Sequence, residues 1–195
     1  MQSLRPARRV AELGSLGNVA PHHMSIFNGF YIRANAKATL ATVREGLDQL
    51  EIDQHGDFIG VKLPPKRTPE EMLTRLSEMF DTDVFWLGFQ SAMDCFEFHH
   101  WQSGRNVRSL VYGMEEERTW ERADGTPESW GSQFFFHPRN LECDLECAED
   151  DEQREMLQRV YRDRKIEVGL AGPGISSSDT AEAIAHHYGF PHYGL

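Results

Sequence analysis

The order of predicted strands and helices indicates an α+β domain, with a mostly antiparallel sheet and helices packed on one face. Runs of aromatic and β-branched residues follow one another with short turns between them, which favours hairpins. Helical patterns flank these runs and dominate the C-terminal part of the 195-residue chain. A chain of this length suits one domain, so residues 25–195 are predicted to fold as a single unit.

The first half of the domain reads as two strand–helix pairs. Phe27–Ala34 and Asp57–Leu63 have the composition of short strands. After the first of them, apolar side chains recur at helical spacing at Leu40, Val43, Leu47 and Leu50. The second helix is predicted to run to Phe80, with Thr68 as its N-cap and Pro69 at its first helical position.

Further strands form a predicted hairpin region in the middle of the chain. Asp83–Phe89 and Asp94–Trp101 have strand composition, and Asn106–Gly113 returns after a turn at Gly104. A last strand near Trp120 is expected to end in a turn at Asp124–Gly125.

The C-terminal part is predicted to be mainly helical. Residues 142–155 carry eight acids and one base, and acids suit the start of a helix. Helices are expected over about residues 149–164 and over Asp179–Phe190, with a short strand at Lys165–Leu170 between them.

Composition excludes several classes of protein. No apolar run approaches the roughly 20 residues that span a bilayer. A formal net charge of −11 argues against nucleic acid and anionic lipid as partners, and it favours solubility or a basic protein partner. An odd number of cysteines without a signal peptide indicates the cytoplasm. Residues 1–24 are interpreted as a flexible leader or a misplaced start, although their arginines would also fit a transit peptide.

Two adjacent histidines, His99 and His100, lie in the predicted strand Asp94–Trp101. Alternate residues of a strand face opposite sides, so these histidines point apart and cannot bind one ion without a bulge. The pattern favours an amphipathic strand with Phe96 and Phe98 in the core.

A candidate zinc site combines Cys143 and Cys147 with His99. The cysteines are four residues apart, so a helix would place both sulfurs on one face. Further ligands would have to come from other histidines, namely His137, His186 and His187. Zinc takes at least three protein ligands, and nothing in the sequence fixes these distances. The neighbouring acids attract a cation but oppose a reactive thiolate.

A candidate interaction patch consists of Arg108, Tyr112 and Trp120. Arg108 and Tyr112 share one face of their strand, and Trp120 belongs to the next strand. If this face is exposed, its composition is that of a recognition surface. If the helix containing Met72 and Phe80 covers it, the face is core with an arginine at its margin. The second interpretation is favoured.

A third candidate is the glycine-containing loop at Gly169–Ser178, which precedes a helix N-terminus and could attract phosphate. The loop lacks the patterns of nucleotide-binding loops. A linker into a capped helix is therefore favoured.

The central segment resembles a group of uncharacterised bacterial proteins. In that group a G-x-x-V-R-x-L-x-Y strand is followed by a tryptophan strand and a G-x-P-x-x-W turn. The matching residues are Gly104, Val107, Arg108, Leu110, Tyr112, Trp120, Gly125, Pro127 and Trp130. The resemblance covers about 30 residues of the chain and implies a bacterial, cytoplasmic α+β protein. It transfers no activity to any residue.

The sequence therefore predicts a non-catalytic cytoplasmic domain that acts through protein contacts. The alternative is a small metal-binding protein or a metal-dependent hydrolase that uses the cysteine and histidine ligands. The motifs G-x-S-x-G and H-E-x-x-H are absent, so catalysis has no anchor in the sequence. The oligomeric state stays open.

Overall fold

The computed structural model describes residues 26–47, 49–64, 70–115, 119–169 and 176–191. The strands in these ranges are β1 Ile26–Arg33, β2 Glu51–His55, β3 Phe58–Lys62, β4 Asp83–Gln90, β5 Cys95–Gln102, β6 Arg105–Tyr112 and β7 Trp120–Gly125. The helices are α1 Leu40–Gly46, α2 Glu70–Phe80, α3 Ser129–Phe135, α4 Pro138–Cys147, α5 Asp151–Asp163 and α6 Ser177–Tyr188. Three predictions lie outside the described residues: the interpretation of residues 1–24, the helix cap at 68–69 and most of the 169–178 loop.

All seven strands join one antiparallel sheet in the order β2-β3-β1-β4-β5-β6-β7. Strands β4 to β7 form a meander, because each pairs with the next along the chain. Strand β1 lies between β3 and β4 and joins the β2–β3 hairpin to the meander. The predicted α+β class and antiparallel sheet are confirmed.

Helices cover both faces of the sheet, which differs from the single helical layer that the sequence predicted. The cause lies in the central strands, which are apolar on both sides. In β4, Val84 and Trp86 pack with α1 and α2, whereas Phe85 and Leu87 pack with the C-terminal helices. We call these two sides the α1–α2 face and the α3–α6 face.

The C-terminal part departs from the prediction in two ways. Helices α3 and α4 were not expected, and residues 165–169 form neither helix nor strand. The segment after α5 is held against its neighbours by single contacts. Glu167 pairs with Arg159 of α5 at 2.8 Å, and the Gly169 N–H donates to the Trp120 carbonyl at 2.8 Å. Because these contacts fix it beside a helix and at one point of β7, it does not add a strand to the sheet.

No helix in the described ranges is both long and apolar enough to cross a membrane.

Candidate functional site

A cavity of about 270 Å³ opens on the α1–α2 face of the sheet. Five strands contribute to its lining, and none of the described lining residues comes from α1 or α2. The cavity therefore occupies a part of the sheet that these two helices leave uncovered. A concave site with apolar walls and a few polar groups is the usual form of a ligand-binding pocket.

The floor of the cavity is one row of residues across the sheet. Asn28 lies opposite Gly88, Gly88 opposite Glu97, and Glu97 opposite Val111. Paired residues of antiparallel strands place their side chains on the same face. Gly88 has no side chain, so a gap remains between Asn28 and Glu97. A methyl group on Gly88 would meet its nearest atom, Asn28 Oδ1, at 3.6 Å, which is an ordinary contact.

Trp86 forms a fixed wall of the cavity. Its Nε1–H donates to Asn28 Oδ1 at 2.8 Å, and the Asn28 amide donates in turn to the Pro64 carbonyl at 2.8 Å. The indole also stacks on the His99 ring, with centroids 5.1 Å apart. The Trp86 indole is thus already held in one orientation without a ligand. This lowers the entropic cost of binding.

The polar part of the cavity is acidic. Glu97 on the floor is only 5% exposed, and the rim carries Glu115 and Glu121. The Glu115 N–H donates to Glu121 Oε1 at 2.6 Å, which ties the rim loop to β7. None of the lining residues in the described ranges is Lys, Arg or His. The cavity therefore presents negative charge beside apolar surface.

Cys95 lines the same cavity but is not an activated thiol. Burial raises its pKa above the ordinary value, and the carboxylates of Glu97 and Glu121 raise that pKa further. The thiol is therefore neutral at physiological pH, and a neutral thiol is a poor nucleophile.

The outer rim of the cavity is apolar and exposed. Ile26 is 63% exposed and Met114 is 47% exposed. Two large apolar side chains at the mouth of an acidic cavity offer contact area to a partner.

The prediction of an exposed interaction patch on this strand face is wrong. Arg108, Tyr112 and Trp120 are 3%, 1% and 0% exposed. The favoured interpretation, in which this strand face is covered and belongs to the core, agrees with the structure. The cover comes from the C-terminal helices and not from the Met72–Phe80 helix, because this face of β6 points to the α3–α6 side.

The predicted metal ligand set is also wrong. His99 is fully buried on the α1–α2 face, where its Nδ1 lies 2.9 Å from Ser109 Oγ. Cys143 and Cys147 are exposed on α4, which belongs to the opposite side of the sheet. These three side chains cannot share an ion. In the described ranges no group of three or more His, Cys, Asp or Glu residues could hold a metal.

The remaining histidines of that hypothesis have separate surroundings. His137 caps α4, where its Nδ1 accepts from the Arg139 N–H at 3.3 Å. His186 and His187 lie in the last turn of α6.

The described end of the 169–178 loop fits the capped-helix interpretation. Ser176 is the N-cap of α6, and its Oγ accepts from the Asp179 N–H at 3.3 Å.

His99 and His100 do point apart, as the alternation predicted. His100 faces the α3–α6 side, where its Nε2 lies 3.0 Å from Asp83 Oδ1 and its ring stacks on Phe85. Arg33 Nε lies 3.2 Å from the other carboxylate oxygen of Asp83. The hydrogen bond with His100 lowers the pKa of Asp83, and the charges of His100 and Arg33 act in the same direction.

We expect Asp83→Asn to lower the free energy of unfolding at pH 7 by about 1–3 kcal/mol, because hydrogen bonds to charged groups contribute about that much. The pKa of Asp83 is lower in the folded chain than in the unfolded chain. Its contribution is therefore complete above the unfolded value of about 3.9 and is lost as the pH falls through the folded value. Urea unfolding of both proteins between pH 7 and pH 3 tests this. A difference that stays constant over this range would contradict it.

The cavity above Gly88 was not predicted from the sequence. Strand alternation places Cys95, Glu97 and His99 on one face of β5, and this is the signal for the site that the sequence contains. The gap itself forms because Gly88 of β4 pairs with Glu97 of β5. This pairing depends on the register of the two strands, which local sequence patterns do not reveal.

The chain matches no protein-family model, no curated protein and no solved structure at a significant level. Its fold and cavity are therefore the grounds for assigning a function.

Proposed function

We propose that this protein is a non-catalytic binding domain that holds a lysine or arginine side chain of a partner protein in the cavity above Gly88. The observation that carries the proposal is the position of Glu97. The residue is 5% exposed and lies on the floor of a surface cavity, with Glu115 and Glu121 at its rim. A cluster of carboxylates beside apolar walls suits a cation that enters from outside.

The shape of the cavity supports a side chain with an apolar stem and a charged end. Trp86 in the wall and Val111 on the floor provide apolar surface beside Glu97. Lys and Arg place their methylene groups against such surfaces and keep the charged group at the polar end. The exposed rim residues Ile26 and Met114 would contact the partner around the inserted side chain.

The charge of the whole chain supports a basic partner. A formal net charge of −11 attracts positively charged proteins over a distance and repels acidic ones. All three cysteines are free thiols, which supports a reducing compartment such as the cytoplasm.

Titration with N-acetyl-lysinamide tests the proposal, with uncharged N-acetyl-norleucinamide as the ligand control. The indole N–H resonance of Trp86 reports occupancy because this group lies in the cavity wall. We expect a saturable shift with the lysine compound and a much weaker response to the norleucine compound. Glu97→Gln should weaken lysine binding by about 10- to 100-fold, which corresponds to a hydrogen bond to a charged group. Glu152→Gln, on an exposed position of α5, removes the same charge and should leave the affinity unchanged.

A second variant tests the volume of the gap independently of the charge on Glu97. Gly88→Ala places a methyl group in the gap without a close contact, so the fold should be retained while binding weakens. Equal lysine affinities in wild type, Glu97→Gln and Gly88→Ala would refute the proposed function.

A further inference from the structure

A second cavity, of about 260 Å³, lies on the α3–α6 face. The end of the β6–β7 hairpin, helix α3 and the turn after α5 surround it. Its polar side chains are Arg108, Ser132, Arg164 and Lys165, and its apolar side chains include Phe136 and Ile166. The lining is thus basic, in contrast to the acidic cavity on the other face of the sheet.

Arg108 is the fixed element of this cavity. Its side chain is 4% exposed, and its Nε donates to Glu128 Oε2 at 3.2 Å. Its Nη1 donates to the carbonyl oxygens of Asp124 and Gly125, at 2.9 and 3.4 Å. Within the part of the chain that the structure describes, Nη2 makes no hydrogen bond. A buried guanidinium is thereby held in one orientation with two N–H groups still to be satisfied.

Glu128, the one acid in the described ranges that is bonded to Arg108, also binds a second group. Glu128 Oε1 accepts from the Tyr188 hydroxyl at 2.7 Å, while Oε2 accepts from Arg108. Arg164 and Lys165 are exposed at the mouth, and neither forms an ion pair with any described residue. The cavity therefore has an excess of positive charge within a chain that is strongly acidic as a whole.

We propose that this second cavity binds a small organic anion, with its carboxylate or phosphate group at Arg108 Nη2 and its apolar body against Phe136 and Ile166. Guanidinium groups form strong charge-assisted hydrogen bonds with both kinds of anion. The volume is slightly below the roughly 300–1,000 Å³ that is typical of drug-sized ligands, so the ligand is small. The site does not depend on the proposed lysine-binding function, because the two cavities are on opposite faces of the sheet.

Titration with benzoate and with phenyl phosphate tests the proposal and distinguishes the two anionic groups. The Nε–H resonance of Arg108 is the direct readout, and neutral benzyl alcohol is the ligand control. We expect saturable binding of at least one anion at millimolar concentration or below, and no comparable response to benzyl alcohol. Glu97→Gln should leave this affinity unchanged, which separates failure of this proposal from failure of the lysine site.

The variant Arg164→Asn with Lys165→Gln removes two charges from the mouth without disturbing the buried core. Arg164 has φ of 49°, and asparagine tolerates this left-handed conformation, so the end of α5 is retained. We expect the anion affinity to fall by about tenfold. The matched control is Arg105→Gln with Arg139→Gln, two exposed positions outside the cavity, which should bind as wild type.

Two results would overturn this inference. One is a shift that grows linearly with anion concentration, because that indicates general charge screening. The other is an equal loss of affinity in the mouth variant and in the matched control, because net charge alone would then explain the binding.

Discussion

Gly125→Ala is expected to lower the free energy of unfolding by about 3–6 kcal/mol, because the added methyl group causes both backbone strain and a steric overlap. Gly125 is the last residue of β7 and has φ of 87°, a conformation that residues with a Cβ rarely adopt. The added carbon would also lie 2.1 Å from the Val107 carbonyl oxygen of β6. Relief of that overlap requires the two strands to separate, and it would also move the carbonyl that accepts from Arg108.

The matched control for this substitution is Gly189→Ala. Gly189 has φ of 77°, and an added Cβ there would meet nothing within 4 Å. Gly189→Ala should therefore show the cost of the backbone conformation alone, about 1–3 kcal/mol. Urea unfolding followed by circular dichroism measures both. Equal losses in the two variants would show that the close approach of β6 and β7 is not costly to disturb.

Trp120→Ala should lower the free energy of unfolding by about 3–5 kcal/mol, as truncation of a fully buried aromatic residue typically does. Trp120 is 0% exposed and makes edge contacts with three rings. The ring centroids of Tyr112, Phe135 and Phe96 lie 5.1, 5.3 and 5.7 Å away. One side chain thereby joins β5, β6, β7 and α3, so its loss leaves a cavity at their junction.

The unfolding experiment also checks the buried position of Trp120. A residue of an exposed patch would affect partner binding and leave stability nearly unchanged. Met93→Ala is the surface control, since Met93 is 61% exposed and surface substitutions usually change stability by less than about 0.5 kcal/mol. A loss below about 1 kcal/mol in Trp120→Ala would contradict the buried position.

Much of the fold was predictable because its main elements have strong local patterns. The strand predicted at Phe27–Ala34 forms one residue earlier, and the predicted helix before Phe80 is α2. The alternation in β5 correctly separated His99 from His100. These patterns arise from burial of one side of each element, which the order of residues records directly.

The missed elements lack such patterns. Helix α4 has no buried residue, so its sequence shows no apolar stripe of core positions. Strand β2 buries only Ile52 among its five residues. The second helical layer was missed because an apolar residue in a central strand does not reveal which helix will cover it.

The candidate sites were harder to predict because each depends on contacts between distant residues. The gap above Gly88 requires the registers of β4 with both β1 and β5. The available Nη2 of Arg108 depends on where Glu128 and the carbonyl of Asp124 lie in the folded chain. Neither the strand registers nor the positions of these hydrogen-bond partners can be read from the local spacing of residues.

The edges of the sheet determine how this protein can associate with others. The edge strands β2 and β7 have five and six residues, whereas the central strands β4, β5 and β6 have eight. Both edge strands carry charged side chains at their surface: Glu51 pairs with Lys62 on β3, and Arg122 pairs with Asp124 within β7. Short, charged edges discourage the addition of a strand from another chain, because that strand would have to desolvate these charges. The sheet is thus protected against edge-to-edge aggregation, and its two faces, which carry the two cavities proposed as binding sites, are left as the surfaces for recognition.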